Sequence, residues 1–409
     1  MKLLVRNRFY RLLTLSDFFN GFGASIYNLV FIVFASSMDH RKLAIGIAAM
    51  ITFVPTIFNV LISMYADRTK DKGRIYLALG YVQAILFILI AFLTQSVSWL
   101  AFSTVCLINI LSDMLSTYRS GLKLPMIQTH VAEEDLMEAF SFRQVVSVVS
   151  LLGGQALGVW LLSISHNHFF LVSLVNAATF LTSTLILLGM RQELTYQVRG
   201  EELRQPFFRQ FKELYTNLRK VFQGLKTGNF ELFLLAVLLI NALGGSITPI
   251  YQLSFTDAPL FGLSFSQSLF LLQVISITGT ILGGLTPNDY FSKQSFNTIL
   301  KIVAGLLVLI ATSNALAFSP VISLLLLIFL SYLAGKINPK LQAMLMKEIP
   351  SNVLAQTGSF LELLFTLSMP LGTALFTSLA LASIWLSWVI FAGLALLTLG
   401  ISLCLSARG

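Results

Sequence analysis

The chain has 409 residues, of which 56% are hydrophobic and 11% charged, with a formal net charge of +9 and a mean hydropathy of +0.82. A water-soluble protein of this length has too little interior to hide so much apolar surface. Composition therefore excludes a soluble enzyme or binding domain and predicts an all-α polytopic membrane protein.

Apolar segments of about 20 residues, each long enough to cross roughly 30 Å of hydrocarbon, recur along the whole length. Twelve spans are predicted at 12–37, 43–66, 75–95, 98–119, 139–164, 168–190, 229–254, 265–286, 297–317, 321–342, 354–380 and 383–406, the fourth and tenth continuing a few residues further. The first follows Lys2, Arg6, Arg8 and Arg11, and it is too long and too polar for a cleaved signal peptide. At 100° per residue it lines up Asp17, Asn20, Gly21, Ala24 and Asn28 on one face. After the second span, "MYADRTKDKGR" (64–74) concentrates six charges: Asp67, Arg68, Lys70, Asp71, Lys72 and Arg74.

The fourth span aligns Asn109, Asp113, Ser116, Thr117 and Ser120, and the fifth Arg143, Ser147, Ser150, Gly154 and Gly158, with Gln144 beside them. Gly153, Gly154 and Gly158 read as a close helix-packing surface. Segment 191–228 carries eight basic residues. Its stretch 207–226 spaces Phe208, Phe211, Leu214, Tyr215, Leu218 and Phe222 as an amphipathic helix lying on the inner membrane surface. The seventh span presents Asn241, Gly245, Thr248 and Gln252, and the eleventh Gly358, Glu362, Thr366, Met369 and Thr373.

Of 27 basic residues, the loops on one side hold only Arg41 and Lys42. That asymmetry predicts cytoplasmic N- and C-termini. It also accounts for the positive charge through topology and anionic lipid, without nucleic acid. Polar groups at membrane depth are expensive and should face the bundle interior or a wet cavity. Glu362, Asp113 and Asp17 are accordingly the candidates for proton or cation coupling, with Arg143 as counter-charge. Asn20, Asn28, Asn109, Gln144, Asn241, Gln252 and Thr366 are the substrate-cavity candidates.

No cofactor, metal site or enzymatic constellation is expected. Cys106 and Cys404 both lie in apolar stretches, and His166 and His168 sit in a short turn. Gly335-Lys336 is followed by Ile337 and falls at a predicted helix end, so no phosphate-cradling loop is present.

The two halves resemble each other. "NGFGASI" (20–26) matches "NALGGSI" (241–247) at an offset of 221, which also carries Ser63 and Asp67 onto Gly284 and Asn288. "SFRQ" (141–144) falls on "SFLE" (359–362), and "GQAL" (154–157) on "GTAL" (372–375), at an offset of 218. A duplication of six helices plus six follows: an N-terminal half (1–190), a cytoplasmic linker (191–228) and a C-terminal half (229–409). Glu362 has the neutral mate Gln144, so its acid is specific to one half.

"RNRFYRLL", "FVPTIFNVLISMYADRTKDKGR", "PMIQTHVAEEDLMEAFSF" and "SMPLGTALF" carry a whole-chain resemblance to the major facilitator superfamily, and within it to the macrolide-efflux and drug-exporter group. The resemblance implies two pseudo-symmetric six-helix halves, with spans one, four, seven and ten around a central cavity. It further implies a monomeric, proton-driven exporter of small amphipathic compounds in a bacterial plasma membrane. A dedicated exporter of one metabolite, such as a siderophore, peptide or lipid-like compound, and a non-transporting receptor or scaffold are the alternatives. The superfamily's loop between spans two and three corresponds to Asp67-Arg68 and Lys72, with Ser63 where the pattern has Gly. In the resembled fold Asp67 would latch the cytoplasmic gate onto the start of span eleven, whose N-cap is expected at Ser351 or Asn352.

Overall fold

The computed structural model describes residues 2–132, 135–165, 168–194, 230–286, 289–348 and 351–406. The predicted amphipathic helix 207–226 lies outside the described residues, as do the side chains of Asp67, Arg68, Ser351, Asn352 and Glu362. Twelve helical stretches among the described residues are long and apolar enough to cross a membrane, and this is a multi-pass membrane protein.

The chain divides into two compact units, Met1–Gly200 with Leu263–Phe270, and Glu201–Gly262 with Leu271–Gly409. The helices of the first region are α1 (Lys2–Arg6), α2 (Arg8–Ser36), α3 (Arg41–Ile51), α4 (Val54–Arg68), α5 (Lys72–Leu93), α6 (Trp99–His130), α7 (Leu136–Ile164) and α8 (Phe169–Leu188). Those of the second are α9 (Phe230–Ser254), α10 (Phe265–Leu285), α11 (Tyr290–Lys293), α12 (Phe296–Ala315), α13 (Pro320–Glu348), α14 (Ser351–Ala382) and α15 (Ile384–Ser406). Helix starts are marked by side chains that take an orphan backbone N–H. Asn7 accepts from Tyr10 at 2.9 Å, Ser98 from Ala101 at 3.2 Å and Ser295 from Thr298 at 3.1 Å.

The second predicted span, 43–66, is not continuous. It breaks at Thr52 and Phe53 into α3 and α4. Pro55 sits where the helix restarts: it lacks an N–H and its ring crowds the carbonyl four residues back, and in the first turn of α4 neither costs a ladder hydrogen bond. The fourth and tenth spans extend well past their predicted ends, to His130 and Glu348.

The same pairing recurs in both units. α2 packs on α7 and α8, and α5 on α6 and α8; likewise α9 packs on α14 and α15, and α12 on α13 and α15. Corresponding glycines bring helices into backbone contact in both units. A Cβ at Gly154 would stand 2.5 Å from the Phe22 carbonyl oxygen of α2, and one at Gly158 would stand 3.2 Å from that of Ile26. In the other unit Gly372, the repeat mate of Gly154, lies directly on the Ala242 carbonyl of α9. Without a hydrophobic drive between helices in lipid, such backbone contact is what holds the pairs.

Gly154→Ala and Gly372→Ala should each destabilise the purified protein by about 1–3 kcal/mol through overpacking. Gly244→Ala and Gly393→Ala, which have open space at the Cβ position, should leave the melting temperature in detergent unchanged.

Candidate functional site

The face of α2 predicted to be polar meets α6 in an antiparallel seam. Near the start of α2, the Lys123 ammonium donates to both oxygens of Asp17 at 2.7 and 2.8 Å, and Arg143 Nε of α7 stands 3.6 Å from the same carboxylate. Lys123 and Asp17 keep only 7% and 17% of their side chains exposed. One turn further along α2, Arg119 Nη1 donates to Asn20 Oδ1 at 3.0 Å and to Gln83 Oε1 of α5 at 2.8 Å. The guanidinium lies 4.6 Å from the centre of the Tyr76 ring. Gln83 turns its amide to the Ser112 carbonyl (3.1 Å) and Ser116 Oγ (2.9 Å). Arg119 is 4% exposed, and its Nε is buried without a partner.

Arg119 and Lys123 are absent from the polar stripe read off the sequence. The predicted fourth span runs a few residues past 119, but basic residues near its end count as topology signals, so neither side chain is counted with the stripe. Because α6 runs on to His130, both are helix residues aimed at α2.

Asp113 stands apart from this web. It is half-buried in the middle of α6, and among the described residues it has no hydrogen-bond or ion-pair partner. Its electrostatic neighbour is Tyr27 of α2, whose buried hydroxyl also lacks a partner. Asn109, one turn away, is 4% exposed. The structure thus separates the ionisable candidates of this unit: Asp17 and Arg143 belong to one ion-paired cluster, and Asp113 to none. Asn28 and Gln144 are exposed.

In the second unit, Asn241 donates to the Val237 carbonyl of its own helix at 2.9 Å. Gly245 packs against Met369, and Thr373 Oγ1 donates to the Gly245 carbonyl at 3.2 Å, so much of the predicted α9 face is helix packing. Thr248 is exposed, while Gln252 and Thr366 are half-buried.

Gly335-Lys336 sits inside α13, not at a helix end. Lys336 is 5% exposed and donates to the carbonyls of Gly283 (3.0 Å) and Thr286 (2.6 Å), where α10 ends, and to Ser292 Oγ (3.0 Å). It also pairs with Asp289 at 3.0 Å. A cation on terminal helix carbonyls gains from the helix dipole. The first unit places Lys72 in an equivalent way, its ammonium on the Ala66 carbonyl near the end of α4.

A sequence signal for this arrangement exists: Tyr-x-x-Gly-x-x-x-Pro occurs at 118–125 and again at 332–339. Its tyrosines reach matching threonines, Tyr118 with Thr69 (2.6 Å) and Tyr332 with Thr286 (3.5 Å).

Burial raises the Asp289 carboxyl. Hydrogen bonds from Ser292 and Lys336, with the charge of Lys336, outweigh that and hold it at about 2. Among the described residues no group of three or more His, Cys, Asp or Glu is placed to hold a metal.

Two predictions follow from these pairs. Asp17→Asn should cost roughly 3–5 kcal/mol, because Lys123 is left buried and unpaired. Lys123→Met should cost less, since Arg143 still faces Asp17; melting temperatures in detergent decide the order. For Asp289 the depressed acid contributes stability above its ordinary value of about 3.9, lost as pH falls from there through about 2. The stability gap between wild type and Asp289→Asn should therefore stay constant from about pH 5 to 8 and close only below about pH 4.

Solved structures of the same fold cover 98% of this chain. The nucleoside transporter NupG matches at 16% identity over 99% of its own length, with a TM-score of 0.69. The POT family transporter PepTSo matches at 11% identity over 98% of its length (TM-score 0.72). A bacterial homologue of the human lysosomal transporter Spinster, inward-facing and occupied, matches at 14% identity over 96% (TM-score 0.65). No curated protein matches the chain at the same stringency. A family model described as Major Facilitator Superfamily matches residues 13–373. With that match, twelve spans and the pairing repeated in each unit, the chain belongs to the Major Facilitator Superfamily of membrane transporters.

Proposed function

We propose that this chain is a proton-coupled secondary transporter that exports small amphipathic compounds, macrolides among them, by alternating access across a bacterial plasma membrane. On this reading both termini lie on the cytoplasmic side, which the Lys and Arg asymmetry between loops supports. The observation that carries the coupling is Asp113: a half-buried carboxyl at mid-span, without hydrogen bond or ion pair among the described residues. A lone carboxylate in a low-dielectric site is a poor structural element and a good proton carrier, because one O–H bond formed at the carboxyl cancels the charge that burial penalises. Each protonation state then favours a different exposure of the α6 face, which is what couples an ion to a conformational equilibrium.

Asp17 has a different role. With Lys123 and Arg143 around it, its ionised form is already compensated, and it serves to hold α2, α6 and α7 in register. Amphipathic substrates and the outward direction rest on the resemblance to the macrolide-efflux group. Relatives named for nucleoside and peptide transport support small-molecule traffic in general. A receptor or scaffold has no use for an uncompensated mid-membrane acid.

The test is accumulation of a macrolide and of a lipophilic cationic dye in cells expressing the chain, with and without a protonophore. Wild type should lower accumulation, the protonophore should abolish that effect, and Asp113→Asn should abolish it at normal expression. Unchanged accumulation of every compound would overturn multidrug export and leave a dedicated metabolite exporter; full activity of Asp113→Asn would remove Asp113 from the coupling.

A further inference from the structure

The α2–α6 seam changes character along its length. From the N-terminal end of α2 it runs through Asp17 with Lys123, then Asn20 with Arg119; further along, the buried Tyr27 hydroxyl is an electrostatic neighbour of Asp113. Past Asn109 the seam turns aromatic. Phe31 stacks on Phe102 at 6.3 Å, Phe34 meets Phe102 at 6.4 Å and Phe169 at 5.2 Å, and Trp99 sets its edge on Phe102 at 5.6 Å. Tyr27 is backed by Phe87 at 4.8 Å, itself stacked on Phe180 at 5.1 Å. Phe31, Phe34, Phe102 and Phe180 are each 1% exposed. Rings packed this closely leave no space for water and offer no hydrogen-bond relay.

The other side of Asp113 is closed by charge instead. Lys123 is neutralised by Asp17, but among the described residues Arg119 has only neutral acceptors and a ring. An uncompensated buried guanidinium repels a second cation strongly in low dielectric, and pores use such residues to exclude protons.

We infer that Asp113 sits between two barriers inside the first unit, a cationic one at Arg119 and an aromatic one at Phe31, Phe34 and Phe102. Together they deny its proton any route through the unit. A proton then reaches Asp113 only across the α6 face that changes exposure with substrate, which makes uncoupled leak slow. Each transfer forms or breaks one O–H bond at the carboxyl, with water as donor or acceptor, and nothing is oxidised or reduced. The inference rests on Asp113 being the coupling carboxyl.

The experiment uses full-length protein in liposomes containing a pH-sensitive dye, with a potassium diffusion potential and no substrate. Arg119→Gln and Phe102→Ala should each stay as proton-tight as wild type, because one barrier remains. The double variant should admit protons on the order of tenfold faster or more, and adding Asp113→Asn should abolish that influx. A tight double variant, or influx that survives Asp113→Asn, overturns the two-barrier inference.

Substrate-driven proton movement in Asp113→Asn alone tests the underlying coupling separately. Intact movement there sinks the coupling role, while lost movement with a tight double variant sinks only the barriers. Should the double variant fail to fold, Cys106 decides. It lies on α6 between Asp113 and Phe102 and is 6% exposed. In a Cys404→Ser background its thiol should resist a charged methanethiosulfonate from both sides. Phe102→Ala should expose it from the side opposite the N-terminus, and continued inertness there overturns the aromatic seal.

Discussion

The pairing of Lys123 with Asp17 is the contact on which the first unit's arrangement depends. Either charge alone, at 7% and 17% side-chain exposure, would face a desolvation penalty of several kcal/mol; the bidentate contact at 2.7 and 2.8 Å removes most of it. Because a buried pair tolerates little slippage, it also fixes how α6 lies along α2. Once residue 17 is opposite 123, Asn20 falls beside Arg119. A one-turn slide would separate both pairs together. Gly154 and Gly158 then let α7 approach α2 closely enough for Arg143 to reach the same carboxylate.

Within that frame the ionisable groups fall into two kinds. Asp17 is ion-paired with both Lys123 and Arg143, and the three behave as structure. Asp113 and Arg119 each lack an oppositely charged partner among the described residues, and they lie on neighbouring faces of the same helix, α6. Neutral amides, a tyrosine ring and a buried phenol are what surround them. Such surroundings leave a carboxyl free to change its charge, whereas a salt bridge would lock it. A guanidinium cannot be neutralised in the same way, so its field persists through any cycle.

How much of this is legible in the sequence depends on which physical signal a residue obeys. Hydropathy gives the spans because lipid thickness sets their length, and the glycines of α7 show their spacing plainly. The break at Thr52 and Phe53 escapes a hydropathy reading, since it falls in an apolar run and interrupts geometry without interrupting polarity. Arg119 and Lys123 escape for another reason: near a membrane edge, basic residues are absorbed by the topology rule, and only the packing of α6 shows that they point at α2. Lys336 is hidden by its Gly-Lys context, which invites a test for a phosphate loop and nothing more. The duplicated Tyr-x-x-Gly-x-x-x-Pro would have drawn attention to it. Asp113 is visible as an acid in an apolar span, but its isolation is a property of the packing.

The duplication sharpens the distinction between frame and chemistry. Positions that set helix contacts keep their identity across the repeat: Asn20 with Asn241, Gly154 with Gly372, Tyr118 with Tyr332, Gly121 with Gly335. The charged positions do not. Asp17 corresponds to Leu238, Asp113 to Leu327, Arg119 to Leu333, Lys123 to Ile337 and Arg143 to Leu361. The second copy assembles its other helix pairs, α9 on α14 and α15 and α12 on α13 and α15, without such charges. The web is thus particular to the first unit, where it sets the register of α2 against α6. What the first unit gains from it is an ordered set of charges at membrane depth, the property through which, in the proposed function, an ion gradient would act on the fold.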